Sequence, residues 1–301
     1  MSRLLAAIAD RVLLGDGAMG TQLQQAGLES GGCGEAWNLD HPDRVLAIQR
    51  RYVEAGSECL ITNSFGGSAI MLARYGEAER TVAINQAAVA IARAAFGDRP
   101  GFVLGDIGPF GGLMEPYGEI ARSKVEAAFR EQTRALVDAG ADAIIIETQT
   151  ALEELEIAVA AAQEAGAPAV IGSVAFDKML DQDDVRTMMG VSPEAAAEFM
   201  AARGVDVLAL NCGTGIDMTM AATIVRRYRA VSGLPVMAQP NAGQPVLENF
   251  AVVYHETPEE MARGLPALLE AGVAIVGGCC GSTPDHIRRF REILDSPQVK
   301  A

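Results

Sequence analysis

The chain is expected to fold as one (β/α)₈ TIM barrel over residues 1–301, and three observations carry that expectation. Eight short apolar runs recur along the sequence, helical stretches with recognisable start signals separate them, and 301 residues is an ordinary length for such a barrel. Near-continuous apolar runs of this length suit parallel strands buried on both faces. No linker, low-complexity tract or internal repeat interrupts the series.

Taken in order, residues 2–9 read as a short helix ahead of a first strand at 11–15. The remaining strands are expected at 59–63, 102–105, 143–147, 169–174, 205–211, 235–239 and 274–278. Ser123-Lys124-Val125-Glu126 and Thr150-Ala151-Leu152-Glu153 have the capping-box pattern, in which the hydroxyl and the glutamate satisfy each other's free backbone N–H groups. Thr257-Pro258-Glu259-Glu260 adds proline at the first helical position, where a missing N–H costs nothing. Ser192-Pro193 and Thr283-Pro284 open helices in the same way.

Composition then narrows the partners. Half of the residues are hydrophobic, enough for a large core, and the formal net charge is −15 with no long basic run. Such a surface repels nucleic acid and anionic membranes. No apolar stretch approaches the ~20 residues of a membrane span, and Asp10 and Arg11 soon interrupt the N-terminal segment, so a cytoplasmic location is expected. Five cysteines without an export signal argue for reduced thiols and metal binding rather than a disulfide framework.

In a barrel of this kind, chemistry gathers at the C-terminal ends of the strands. The polar signatures fall there: Asp16-Gly17-Ala18-Met19-Gly20-Thr21, Thr62-Asn63-Ser64-Phe65-Gly66-Gly67, Glu147-Thr148, Asn211-Cys212, Gln239-Pro240-Asn241 and Cys279-Cys280. Cys212 at the end of strand six and Cys279 and Cys280 at the end of strand eight flank strand seven, close enough to share one ion. Three thiolates suit a soft or borderline metal such as zinc and leave a fourth tetrahedral position open. Adjacent strand residues point to opposite faces, so both sulfurs of the vicinal pair meet one ion only if the chain turns, which Gly277, Gly278 and Gly281 permit. Asn241 is a candidate fourth ligand, against the alternative of a turn residue. Cys59, inside strand two, reads as a small buried hydrophobe and Cys33 as a plain loop thiol. His41, His255 and His286 read as surface or capping residues.

Two carboxylates suggest recognition of a cation. Glu147 follows the apolar run Ala143-Ile144-Ile145-Ile146, so its charge emerges at the barrel mouth, where unpaired burial is costly. Asp16 faces the same region, and backbone N–H groups around Gly17, Ala18 and Ser64 could receive a carboxylate. Together they fit an amino-acid substrate. Asp106 reads instead as a turn residue.

Asp16-Gly17-Ala18-Met19-Gly20-Thr21, Thr62-Asn63-Ser64-Phe65-Gly66, Asn211-Cys212-Gly213 and Gly277-Gly278-Cys279-Cys280-Gly281 resemble the homocysteine S-methyltransferase family over essentially the whole chain. The resemblance implies a (β/α)₈ barrel with zinc on Cys212, Cys279 and Cys280 that binds the homocysteine sulfur, and Asp16 and Glu147 on the substrate ammonium. The implied reaction is thiolate attack on a donor methyl group, giving methionine, with zinc favouring deprotonation of the thiol. Family donors include betaine, S-methylmethionine and methylated corrinoids. Residues 240–245 with Glu248 and Asn249 most resemble the homocysteine module of cobalamin-dependent methionine synthase, a reading in which a separate corrinoid protein brings the methyl group. Where the animal betaine-using branch is expected to place caging aromatics, this chain has Gly66 and Thr148; Trp37 or Phe65 remain as cation–π faces, Trp37 equally as a loop anchor. Two other classes stay open: a zinc barrel hydrolase or lyase, and a homocysteine-binding subunit of a corrinoid methyltransferase system.

Overall fold

The computed structural model describes residues 2–179, 184–248 and 251–296. The barrel strands are β1 (Leu13–Leu14), β2 (Cys59–Ile61), β3 (Phe102–Ile107), β4 (Ala143–Gln149), β5 (Val170–Val174), β6 (Val207–Asn211), β7 (Val236–Gln239) and β8 (Ile275–Val276). They form one parallel sheet in the order β1-β8-β7-β6-β5-β4-β3-β2. The seam between β1 and β2 closes through the Glu58 N–H donating to Leu14 O at 2.7 Å, and through the Asp16 carboxylate, whose Oδ2 accepts the Ile61 N–H at 2.8 Å. A side chain thus replaces a missing rung of the ladder.

Strand alternation sorts the core into two layers. Ala143 and Ile145 of β4 point into the barrel, where they meet Leu104, Ile171 and Met237, while Ile144 and Ile146 point outward against the helices. The first helix, α1 (Arg3–Asp10), is capped by Ser2, whose hydroxyl accepts the Leu5 N–H, and its fully buried Leu4 plugs the barrel floor. The outer ring comprises α2 (Pro42–Ala55), α3 (Thr81–Phe96), α4 (Arg122–Asp138), α5 (Leu152–Glu164), α6 (Pro193–Ala202), α7 (Met218–Val231), the pair α8 (Pro258–Ala262) and α9 (Leu265–Glu270), and α10 (Pro284–Leu294). Among the described residues no helix is long and apolar enough to cross a membrane.

Ser192 caps α6, and Thr257 with Glu260 forms a complete capping box on α8. Thr283 caps α10 in a box closed by the imidazole of His286, so that histidine is a capping residue. Two expected boxes do not form. Helix α4 starts two residues early, with Ala121 as N-cap, which puts Ser123 inside the first turn, and α5 starts at Leu152 with Ala151 as N-cap, which leaves Thr150 one position outside. Two short antiparallel strand pairs, Asp177–Lys178 with Val185–Arg186 and Val246–Glu248 with Ala251–Val253, lie in the segments after β5 and β7. Asn249 lies outside the described residues.

Candidate metal and substrate site

At the C-terminal mouth of the barrel, the Sγ atoms of Cys212, Cys279 and Cys280 all lie within 4.8 Å of one another, and Cys212 and Cys280 are 3.7 Å apart. A tetrahedral ion with Zn–S bonds of about 2.3 Å requires sulfur–sulfur edges of about 3.8 Å. The Cys212–Cys280 pair stands at that spacing, and the third sulfur lies within 4.8 Å of both. Local backbone geometry produces the convergence. Cys212 adopts φ 57°, a left-handed conformation rare for a residue with a side chain, and turns its sulfur towards β8. Gly281, at φ 79°, supplies the turn after the vicinal pair, while at Gly278 a Cβ would sit 2.5 Å from Ser282 Oγ. Ser282 is fully buried, and its Oγ accepts the Ala18 N–H at 3.1 Å and donates to Cys279 O at 2.7 Å, locking the β1 loop to the cysteine turn.

Hydrogen bonding among the three sulfurs splits their proton affinities. Bonds from Cys212 and Cys279, helped by the Tyr254 hydroxyl, bring the Cys280 thiol down to about 3, while the same network and burial push Cys279 well up. A cluster in which one thiol gives up its proton readily is chemically prepared for a cation.

Beside the sulfurs opens a cavity of about 430 Å³. Its walls carry four carboxylic acids, Asp16, Glu35, Asp106 and Glu147, and among the described residues no lysine or arginine. Burial pushes Glu147 up to about 8, with the charge of Cys212 adding to the effect. Burial likewise raises Asp16, against the bond from Ile61 and with the help of Glu147. One oxygen of Asp16, Oδ1, is buried without a partner among the described residues, as is Oδ1 of Asp106. An acceptor-rich, cation-poor cavity of this kind favours a ligand that brings its own positive charge and N–H donors.

The expected site residues distribute as follows. Asp16, Gly17, Ala18, Ser64, Glu147 and the three cysteines all line this cavity. The Ala18 N–H is engaged by Ser282 and the Ser64 N–H by Thr62 O. Asn241 is buried beside Cys212: its Nδ2 donates to Gly213 O at 3.2 Å, and its Oδ1 has no partner among the described residues. Phe65 lines the mouth, half exposed, whereas Trp37 is buried under the Arg44 guanidinium and edge-on to His41, as a loop anchor. Cys59 is fully buried in β2; Cys33 is a half-buried loop thiol beside Glu35.

Asp106 departs from expectation. Strand β3 continues through Ile107, so Asp106 lies within the strand and not in a turn. It shares parity with Phe102 and Leu104, both interior residues, and its carboxyl therefore enters the barrel, where burial, then Glu147 and Glu35, raise its proton affinity. That parity was the signal available in the sequence. Glu35, Thr21 and Gln239 also line the cavity; Thr21 Oγ1 and Gln239 Oε1 are buried without partners among the described residues. Thr21 and Gln239 fall within the strand-end polar signatures, whereas no local pattern marks Glu35.

Residues 13–294 match the family model described as homocysteine S-methyltransferase. The chain is 36% identical over 300 residues to methionine synthase of Mycobacterium leprae and equally to that of Mycobacterium tuberculosis, covering 95% of this chain but 24% and 25% of those proteins. It thus spans about a quarter of the length of the curated relatives it matches. The metallated form of the homocysteine methyltransferase MmuM from Escherichia coli superposes with a TM-score of 0.78 at 23% identity, covering 97% of this chain and all of that one, a likeness of fold.

Proposed function

The chain belongs to the homocysteine S-methyltransferase family, and from that premise we propose that it is a zinc-dependent enzyme that methylates the homocysteine thiol to give methionine. The observation that carries this reading is the adjacency of a cluster of three thiols, all within 4.8 Å of one another, to a cavity walled by carboxylates. Cys212, Cys279 and Cys280 would hold the ion, with the Asn241 amide oxygen as the candidate occupant of the fourth position before substrate enters. When bound, zinc supplies the Lewis acidity that makes a thiol a thiolate near neutral pH.

The protein's own groups do the rest. Glu147 and Asp16 receive the substrate ammonium, whose charge offsets the burial that keeps both carboxyls protonated to unusually high pH. The α-carboxylate is received by the Gly17 backbone and the Thr21 hydroxyl, since the Ala18 and Ser64 N–H groups, expected as donors from the sequence, are already held by Ser282 and Thr62. Held at both ends, the amino acid directs its sulfur at the cysteine cluster and leaves the sulfur's far side facing the open mouth, where the methyl donor approaches in line.

The 36% identity to methionine synthases supports a second reading of the donor, in which a methyl-corrinoid arrives on another protein. Betaine and S-methylmethionine are the small-molecule alternatives. Incubating the zinc-loaded protein with homocysteine and each donor in turn, and measuring methionine, decides among them; no methionine with any donor, and no proton release on homocysteine binding, would sink the enzymatic reading.

A further inference from the structure

We infer that Asn211 is a positioning residue that ties the substrate-binding bulge of β4 to the thiol cluster, fixing the aim of Glu147 and tuning the Cys279 sulfur as a metal ligand. The inference rests on the zinc and homocysteine reading above and adds to it a residue that touches neither substrate nor ion.

Asn211 is the last residue of β6 and is buried. Its Oδ1 accepts the Thr148 N–H at 3.0 Å and the Ser173 hydroxyl at 2.6 Å, while its Nδ2 donates to Thr148 Oγ1 at 2.7 Å and points at Cys279 Sγ at 3.8 Å. Two donors and two acceptor sites are all that a carboxamide offers, so the group is saturated. Its orientation is forced as well. The Thr148 N–H can only donate, so the oxygen must face it and the amide N–H groups must face the other way, towards the sulfur.

On one side this clamp holds a distortion. The register between β4 and β5 shifts between Ile146 and Gln149, and Thr148 within that bulge has φ 57°, a left-handed conformation that a β-branched residue adopts only under constraint. The bulge lets both Glu147 and Thr148 line the cavity, which the strict alternation of a regular strand forbids. Without Asn211, Thr148 is free to return to extended geometry and Glu147 swings with it. On the other side, an N–H pointed at a sulfur stabilises the thiolate and fixes its direction, and loss of such an outer contact weakens the hold of the ligand on its metal. Cys212 follows Asn211 directly, so the same strand end carries a ligand, the clamp and the tether to β4.

The test starts from zinc-loaded wild-type protein, whose metal content and homocysteine affinity by calorimetry establish the underlying reading; absence of either fells that reading and not the role of Asn211 alone. In folded Asn211→Leu, of similar side-chain volume, homocysteine affinity is expected to fall about tenfold and zinc release to a chelator to accelerate about tenfold. The sulfur-to-metal charge-transfer band of the cobalt-substituted protein should shift. Adding Thr148→Gly, which permits the left-handed conformation without a clamp, should restore homocysteine affinity to within about threefold while zinc release stays fast and the band stays shifted. Affinity and zinc release both unchanged in Asn211→Leu, or a glycine that rescues both or neither, overturns the proposal. Should Asn211→Leu not fold, Asn211→Asp keeps the acceptor towards Thr148 and loses the donor towards Cys279; an unmoved cobalt band in that variant overturns the proposal, and a shifted one supports it.

Discussion

The sulfur of Cys212, carried by β6, lies 3.7 Å from that of Cys280, which follows β8, so the two thiols meet across the end of β7. Backbone conformation brings them together, and the sulfur–sulfur hydrogen bond joins them. The left-handed turn at Cys212 and the glycine turn at Gly281 aim both side chains at one point above the barrel mouth.

Replacing Cys212, Cys279 or Cys280 by alanine is accordingly expected to abolish metal binding without unfolding the barrel. Zinc content should drop from about one ion per chain to near zero, with the circular dichroism spectrum and melting temperature of the metal-free protein little changed. Elemental analysis of the purified variants is the check; a single variant that keeps its metal would remove that cysteine from the ligand set.

Glu147→Gln keeps the shape and the hydrogen-bonding oxygen of the side chain and removes the charge that answers the substrate ammonium. A charge-assisted bond contributes about 1.5–3 kcal/mol, so the homocysteine dissociation constant should rise by roughly ten- to a hundredfold with zinc content intact. A thiol of the same length lacking the amino group should bind wild type and variant alike. Equal losses for both ligands would make Glu147 a structural residue.

The sequence was most informative where the barrel imposes order. Strand counting put Cys212, Cys279 and Cys280 on one face because every C-terminal strand end shares that face, whatever the loops do. It was least informative where partners are remote. Ser282 and Asn211 act through residues 264 and 63 positions away, and a lone buried serine or asparagine carries no local mark of such a contact. Asp106 lay between these cases: the Gly105-Asp106 pair looks like a turn, and only the parity with Leu104 reveals that the strand runs on. The strand pair at 246–248 and 251–253 escaped because its first strand is exposed throughout and no buried pattern specifies it.

Ser282→Ala tests whether the β1 loop and the cysteine turn are mechanically joined. The substitution leaves the Ala18 N–H and the Cys279 carbonyl without their partner in a buried place. Stability should fall by about 1–3 kcal/mol, read as a lower urea midpoint at constant slope, and homocysteine affinity should fall with it because Ala18 lines the cavity. Loss of stability with unchanged affinity would separate the two functions.

Glu154 offers a pH-dependent prediction away from the thiols. It sits in the first turn of α5, where the helix dipole favours the anion, and its Oε1 accepts the Phe110 N–H at 2.7 Å; burial nevertheless wins and raises the carboxyl to about 7. The folded state therefore holds a proton that the unfolded chain, with an ordinary carboxyl near 4.5, has already released. The associated stability is complete below about pH 4.5 and is lost as the pH rises towards 7, by at most ~3 kcal/mol. Glu154→Gln retains an oxygen for the Phe110 N–H and cannot ionise. Its stability relative to wild type should be near zero at pH 4.5 and grow to about 1–3 kcal/mol in its favour at pH 8, measured as the difference in urea unfolding free energy at each pH. Because both proteins share every other buried carboxyl, that difference isolates this one group, and a difference that stays flat from pH 4.5 to 8 would mean that Glu154 is ionised in the folded protein throughout.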